Sequence, residues 1–334
     1  MLHLRQPYLL FLGDITLASD AKTGFGLRDW RREAVMGECR LPGCTVSLDL
    51  PVFEPRAAKA AGAQSIVIGV ASVGGRIPEH WLPTLIEAAA CGLDVVSGMH
   101  TRLSTWPSLA AAAASSGARL IDVRANDGGF PTGTGLKRPG KRLLTVGTDC
   151  ALGKKYTALA LTRAFHDAGV PATFRATGQT GIMIAGEGIA IDAVVADFIA
   201  GAAEQLSPAN APDHWDVIEG QGALFHPAYA GVTLGLIHGS QPDAIVLCHD
   251  PSRETLEDLP HVPITPLPTA IARYLDAARV TNPAVVCAGL SINSSSLDAR
   301  AWADYQQRVM GELGLPVCDP MRGGVEPIVR ALIA

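Results

Sequence analysis

This 334-residue chain has no CxxC pair, no run near the roughly 20 apolar residues of a membrane span and no excess of basic side chains. No strand candidate is followed by a GxGxxG turn. Each absence closes a class of function. Seven cysteines, at 39, 44, 91, 150, 248, 287 and 318, are scattered and odd in number. They suit free thiols in a reducing compartment, not a disulfide framework or a zinc site, so no metal is expected. A net charge of −5 argues against nucleic acid or an anionic membrane as a partner. The missing dinucleotide fingerprint makes an NAD-dependent dehydrogenase a weak reading. Internal repeats and low-complexity tails are also lacking. The apolar run 8–12 is cut short by Gly13-Asp14, so it reads as a first strand and not as a signal peptide. A cytoplasmic protein is expected.

What is present describes an α/β protein. Hydrophobic residues make up 48% of the chain, enough for large cores, and 35 glycines with 23 prolines suit many tight turns. The length predicts about two domains. In the first half, short apolar runs at 65–70, 95–96 and 120–123 alternate with helical stretches at 81–91 and 107–115, the pattern of a Rossmann-like parallel sheet. Residues 131–140, within the Gly-, Thr- and Pro-dense stretch 126–140, read as a linker between domains 1–130 and 141–334. In the second half strands are expected at 142–146, 172–176, 216–218, 244–248, 284–288 and 316–318. Helices are expected at 154–167, 189–206, 269–278, 298–313 and 325–333.

The clearest signal is a strand–turn–helix from Leu143 to Lys155, with the turn Gly147-Thr148-Asp149-Cys150-Ala151-Leu152-Gly153-Lys154-Lys155. Consecutive backbone N–H groups at a helix start form an anion cradle, glycine permits close approach, and Lys154 can reach a bridging phosphate oxygen. The turn departs from a nucleotide hydrolase in two places. It holds one residue more between its glycines than the Walker A pattern. Lys155 also stands where a Ser or Thr would ligate Mg²⁺. The cradle therefore favours holding phosphates over cleaving them, with Tyr156 completing the helix start.

The stretches 147–161 (GTDCALGKKYTALAL), 176–204 (ATGQTGIMIAGEGIAIDAVVADFIAGAAE), 218–251 (IEGQGALFHPAYAGVTLGLIHGSQPDAIVLCHDP) and 290–293 (LSIN) closely resemble the D-glutamate N-acetyltransferase family, long described only as a domain of unknown function. The pieces GD (13–14), KTGFGLRDW (22–30) and VASVGG (70–75) extend the resemblance over the first half. It implies acetyl transfer from acetyl-CoA to the amine of D-glutamate. It also implies a P-loop NTPase-like domain behind a Rossmann-like one. A more distant likeness, of GTDCALGKK and IEGQGAL to dethiobiotin synthetase, keeps an ATP- and Mg-dependent ligase or kinase as the alternative. A non-catalytic nucleotide- or CoA-binding protein is a third reading.

Such a transferase needs a general base for the acceptor ammonium and donors for the developing oxyanion. Glu219, at a strand end in Ile218-Glu219-Gly220-Gln221-Gly222, is the first candidate base, with a purely structural carboxylate as the competing reading. His226, restrained by Pro227, is a second, and Lys154 is a candidate oxyanion donor. Asp192 and Asp197 fall in the helix expected at 189–206 about 140° apart, so at most one of them faces a site. Gln179, Thr180 and Gln221 are candidate ligand contacts. An acidic substrate calls for cations such as Arg175, Lys155, Arg253 and Arg322. His238 and His249 lie near element ends with nothing to select them. Cys150, near a helix N-terminus where thiol pKa values fall, is a candidate acyl carrier. Lys22–Gly26 is expected to be a loop closing over the site, and the Ala-rich helices lead to the expectation of a homo-oligomer.

Overall fold

The computed structural model describes residues 2–70, 75–125 and 129–333. Residues 71–74 of the VASVGG stretch and 126–128 at the start of the Gly/Thr/Pro-rich stretch lie outside them. The chain forms two compact units, one made of residues 1–127 with 179–193, the other of 128–178 with 194–334.

In the first unit, five parallel strands follow the order β2-β1-β3-β4-β5, with β1 Tyr8–Gly13, β2 Val35–Arg40, β3 Ser65–Ile68, β4 Asp94–Ser97 and β5 Leu120–Asp122. The strands are short and apolar because helices cover them: β1, β3 and β4 are buried at every position. Helices α1 (Lys22–Trp30), α2 (Pro55–Ala60), α3 (Leu82–Ala90) and α4 (Pro107–Ser116) make the crossovers. Residues 22–26, expected as a loop, are the first turns of α1. Gly24 belongs in a helix here because its N–H donates to Gly69 O at 2.8 Å, and a Cβ would press on Leu48 and Leu12.

The second unit is a six-stranded parallel sheet in the order β11-β10-β9-β6-β8-β7: β6 Lys141–Gly147, β7 Ala172–Arg175, β8 Trp215–Ile218, β9 Ala244–His249, β10 Val286–Ile292 and β11 Val317–Cys318. Helix α5 (Lys154–Asp167) follows β6 and packs Ala158, Leu161 and Phe165 into a core with Leu143, Val217 and Val246. After β7 the chain runs through α6 (Gln179–Ala185), and residues 179–193 group with the first unit, where Glu187–Gly188 pairs antiparallel with Leu2–His3. Helices α7 (Ile199–Leu206), α8 (Ala230–Ser240), α9 (Leu267–Arg279), α10 (Ala299–Leu313) and α11 (Glu326–Ile333) complete the chain.

The helix expected at 189–206 is only its last part. Gly186 and Gly188 adopt left-handed backbone, the strand pair holds 187–188 extended, and two 3₁₀ turns, Ile191–Ala193 and Ala196–Phe198, precede α7. Asp192 and Asp197 therefore sit in separate turns and in different units. The strand expected at 284–288 lies later, at β10, and α8 was not foreseen. The expected linker is tied down within the second unit. The N–H groups of Thr134 and Gly135 donate to Glu204, Lys137 pairs with Asp243, and Arg138 holds the Ser207 and Gly239 carbonyls. Among the described residues no helix is long and apolar enough to cross a membrane.

Candidate functional site

Strand β6 lies at the switch point of the second sheet, since β8 and β7 follow on one side and β9, β10 and β11 on the other. Open parallel sheets bind ligands at the carboxyl end of such a strand. The turn 147–153 is there, and it joins β6 to α5.

The turn owes its shape to a few residues. Ala151 and Gly153 take positive φ, +52° and +97°, which lets successive N–H groups face one concavity. A Cβ on Gly147 would stand 2.9 Å from Asp149 O and 3.3 Å from Lys154 Nζ, so glycine leaves room for the ammonium over the turn. Lys154 is buried, its Nζ donates to Asp149 O at 2.8 Å, and burial lowers its pKa. Leu152 is buried beneath the turn, and Lys155 stacks its ammonium 4.3 Å from the Tyr156 ring.

Asp149 is fully buried and is the anchor. One carboxylate oxygen accepts the Cys150 N–H at 2.6 Å; the other accepts the Arg253 guanidinium at 2.6 Å and the Glu257 N–H at 2.8 Å. Arg253 also donates to Cys150 O at 3.0 Å. The Tyr274 hydroxyl donates to Gly147 O at 2.7 Å and accepts the Leu224 N–H at 2.9 Å. Thr148 Oγ1 lies 2.9 Å from His249 Nδ1, and burial drops the His249 pKa to about 4, so this imidazole is neutral. Arg253 was foreseen only as one of several cations. Nothing marked Tyr274, His249 or the Glu257 N–H, because each reaches the turn from elements far along the chain.

The other wall is the end of β8. Glu219 is buried, and its Oε2 accepts the N–H groups of Thr177 and Gly178, both at 3.0 Å, while its carbonyl accepts Thr177 Oγ1 at 2.6 Å. Gln221 Nε2 donates to Thr177 Oγ1 at 3.2 Å. Gly220 is required, because a Cβ there would collide with Thr145 O and stand 3.1 Å from Lys154 Cδ. Asp149, Cys150 and His226 bring their polar atoms within 4.8 Å of one another. His226 Nδ1 accepts the Ala228 N–H at 3.2 Å, which puts the proton of the neutral ring on Nε2. Both Asp149 oxygens hold N–H groups and two cations stand close, so the set suits an anion better than a metal. The Cys150 thiol is pushed up by burial, against the lowering expected at a helix start.

Glu219, Gln221, His226 and the whole turn 147–155 thus belong to the second unit. Arg175 is also there, but it is bound to Asp216 at 2.7 Å on the neighbouring strand, and exposed Arg322 holds Leu297 O at 2.7 Å. Asp192, Gln179 and Thr180 belong to the first unit. Asp192 pairs with Arg124 at 2.7 Å and Thr180 Oγ1 lies 3.0 Å from Thr23 Oγ1. Gln179 Oε1 is buried with no hydrogen-bond partner among the described residues.

Residues 130–329 match the P-loop domain of a family named as a domain of unknown function, DUF1611, and residues 39–126 match its Rossmann-like N-terminal domain. A protein from Tritonibacter scottomollicae named D-glutamate N-acetyltransferase is 46% identical over 331 residues, 99% of each chain. One of the same name from Pseudoalteromonas is 45% identical over 99% of this chain and 100% of its own. A solved DUF1611 family protein from Anabaena variabilis superposes with a TM-score of 0.86 at 34% identity, covering 98% of this chain and 99% of its own. The chain belongs to the DUF1611 family, together with these two D-glutamate N-acetyltransferases.

Proposed function

We propose that this chain is an N-acetyltransferase that moves the acetyl group of acetyl-CoA to the amine of D-glutamate. The observation that carries the reading beyond the names of its relatives is the 147–155 turn. It offers backbone N–H groups, a helix start and buried Lys154, with Lys155 in place of a metal-ligating hydroxyl. Such a turn holds the phosphates of CoA without needing Mg²⁺.

The Arg253–Asp149 pair and Tyr274 fix the cradle before the ligand arrives, which lowers the ordering cost of binding. The N–H groups of Ala151, Leu152 and Gly153 and Lys154 Nζ take the phosphate charge. His226, with its proton on Nε2, serves as a hydrogen-bond donor toward the developing oxyanion and not as the base. Glu219 takes a proton from the acceptor ammonium, and the freed nitrogen lone pair attacks the thioester carbonyl. The carbon–sulfur bond then breaks, the second proton of the acylated nitrogen passes to the departing sulfur, and CoA leaves as the thiol. Cys150 stays a neutral thiol and forms no acyl intermediate. The seven free cysteines fit a cytoplasmic enzyme.

The test is a mass-spectrometric assay of purified protein with acetyl-CoA and D-glutamate in chelator. N-acetyl-D-glutamate and free CoA in equal amounts are expected, and Glu219→Gln is expected to lower kcat by about 10²-fold or more. ATP- and Mg-dependent turnover with no acetylated product would replace this reading with the ligase one.

A further inference from the structure

The first unit holds a pocket of about 210 Å³, lined by Met99, His100 and Arg102 after β4, Asp122 and Arg124 at and just after the end of β5, and Ala193. It lies at the carboxyl ends of two adjacent parallel strands, the side on which such sheets bind ligands. Its volume is below the roughly 300 Å³ at which sites for drug-sized ligands begin, which suits a molecule of amino-acid size.

The lining selects the chemistry. Arg102 and Arg124 bring two guanidinium groups and His100 an imidazole. Arg124 is oriented by Asp192 at 2.7 Å, and a guanidinium carries five N–H donors, so one ion pair leaves it able to bind a further carboxylate. Asp122 accepts the Leu103 N–H through both oxygens, at 3.0 and 3.2 Å, which fixes the turn that carries Arg102. Its carboxylate is also the wall's match for an ammonium. Met99 is buried and closes one side.

We propose that this pocket binds a small amino dicarboxylate, with its carboxylates on Arg102 and Arg124 and its ammonium toward Asp122. The pocket belongs to the first unit and Glu219 to the second, so it is a second binding site and not the acceptor site of the reaction; the identity of its ligand as D-glutamate rests on the transferase reading above.

Calorimetric titration of the full chain with D-glutamate, and separately with acetyl-CoA, tests the proposal. Arg102→Ala removes an exposed guanidinium, and Ala193→Phe fills the pocket while leaving every charge in place. Both variants are expected to weaken D-glutamate binding by about tenfold or more and to leave acetyl-CoA binding unchanged, and circular-dichroism melts that match the wild type show that the first unit still folds. Wild-type protein that binds no D-glutamate, or two variants that bind it as the wild type does, would overturn the proposal. Protein that binds D-glutamate in this pocket yet transfers no acetyl group would overturn the transferase reading and leave the pocket standing.

Discussion

The Arg253 guanidinium lies 2.6 Å from the carboxylate of Asp149, a side chain with no exposed surface at the heart of the phosphate-binding turn. A carboxylate buried so fully is tolerated only with partners. Removing the cation by Arg253→Ala should lower the unfolding free energy by roughly 3 kcal/mol, because the buried charge is left uncompensated. Asp149→Ala in the same chain should recover part of that loss. Urea denaturation of the two single variants and the double variant measures the coupling, and strictly additive losses would mean the pair is not the anchor described here.

Gly220 meets the backbone of Thr145 so closely that no side chain fits. Gly220→Ala should therefore destabilise the second unit by about 2 kcal/mol or more. It should also disturb Lys154, whose stem runs past the same point. A circular-dichroism melt at wild-type temperature would show that the strand ends tolerate separation.

The sheet of the second unit was legible in the sequence because its strands are short runs bounded by Gly and Pro, although β7 is only half-buried and β10 begins exposed. Helix α5 matched because Gly153, Lys154 and Gly169 mark its ends. The turn 147–155 was legible for the same local reason. The clasp around it was not: Arg253, Glu257 and Tyr274 lie roughly 100 residues or more from the turn. Their meeting depends on strand order, which no local pattern records. The helix expected at 189–206 failed where tertiary pairing overrode apolar periodicity. Glu187–Gly188 joins Leu2–His3, and Asp192 finds Arg124.

His249 sets a pH dependence. Its pKa falls from 6.5 to about 4 on burial, so between these values the unfolded chain binds a proton that the folded chain refuses. Stability must then rise with pH through this window and fall as pH drops from 6.5 toward 4. About 3 kcal/mol is at stake at the lower end. The unfolding free energy of His249→Gln should depend less on pH over this range, and a profile parallel to the wild type would remove His249 from the account.

Burial keeps the Cys150 thiol protonated near neutral pH. Iodoacetamide should alkylate it slowly, and Cys150→Ser should keep kcat within about threefold, since a nucleophile's loss costs far more. An acetylated enzyme trapped on Cys150 after rapid quench would contradict this.

The most direct measurement is calorimetric titration of the wild type and Lys154→Ala with acetyl-CoA and with ATP, each with Mg²⁺ and with chelator. The account predicts acetyl-CoA binding that is indifferent to metal and lost in Lys154→Ala. Tight binding of Mg-ATP with no heat from acetyl-CoA would contradict it.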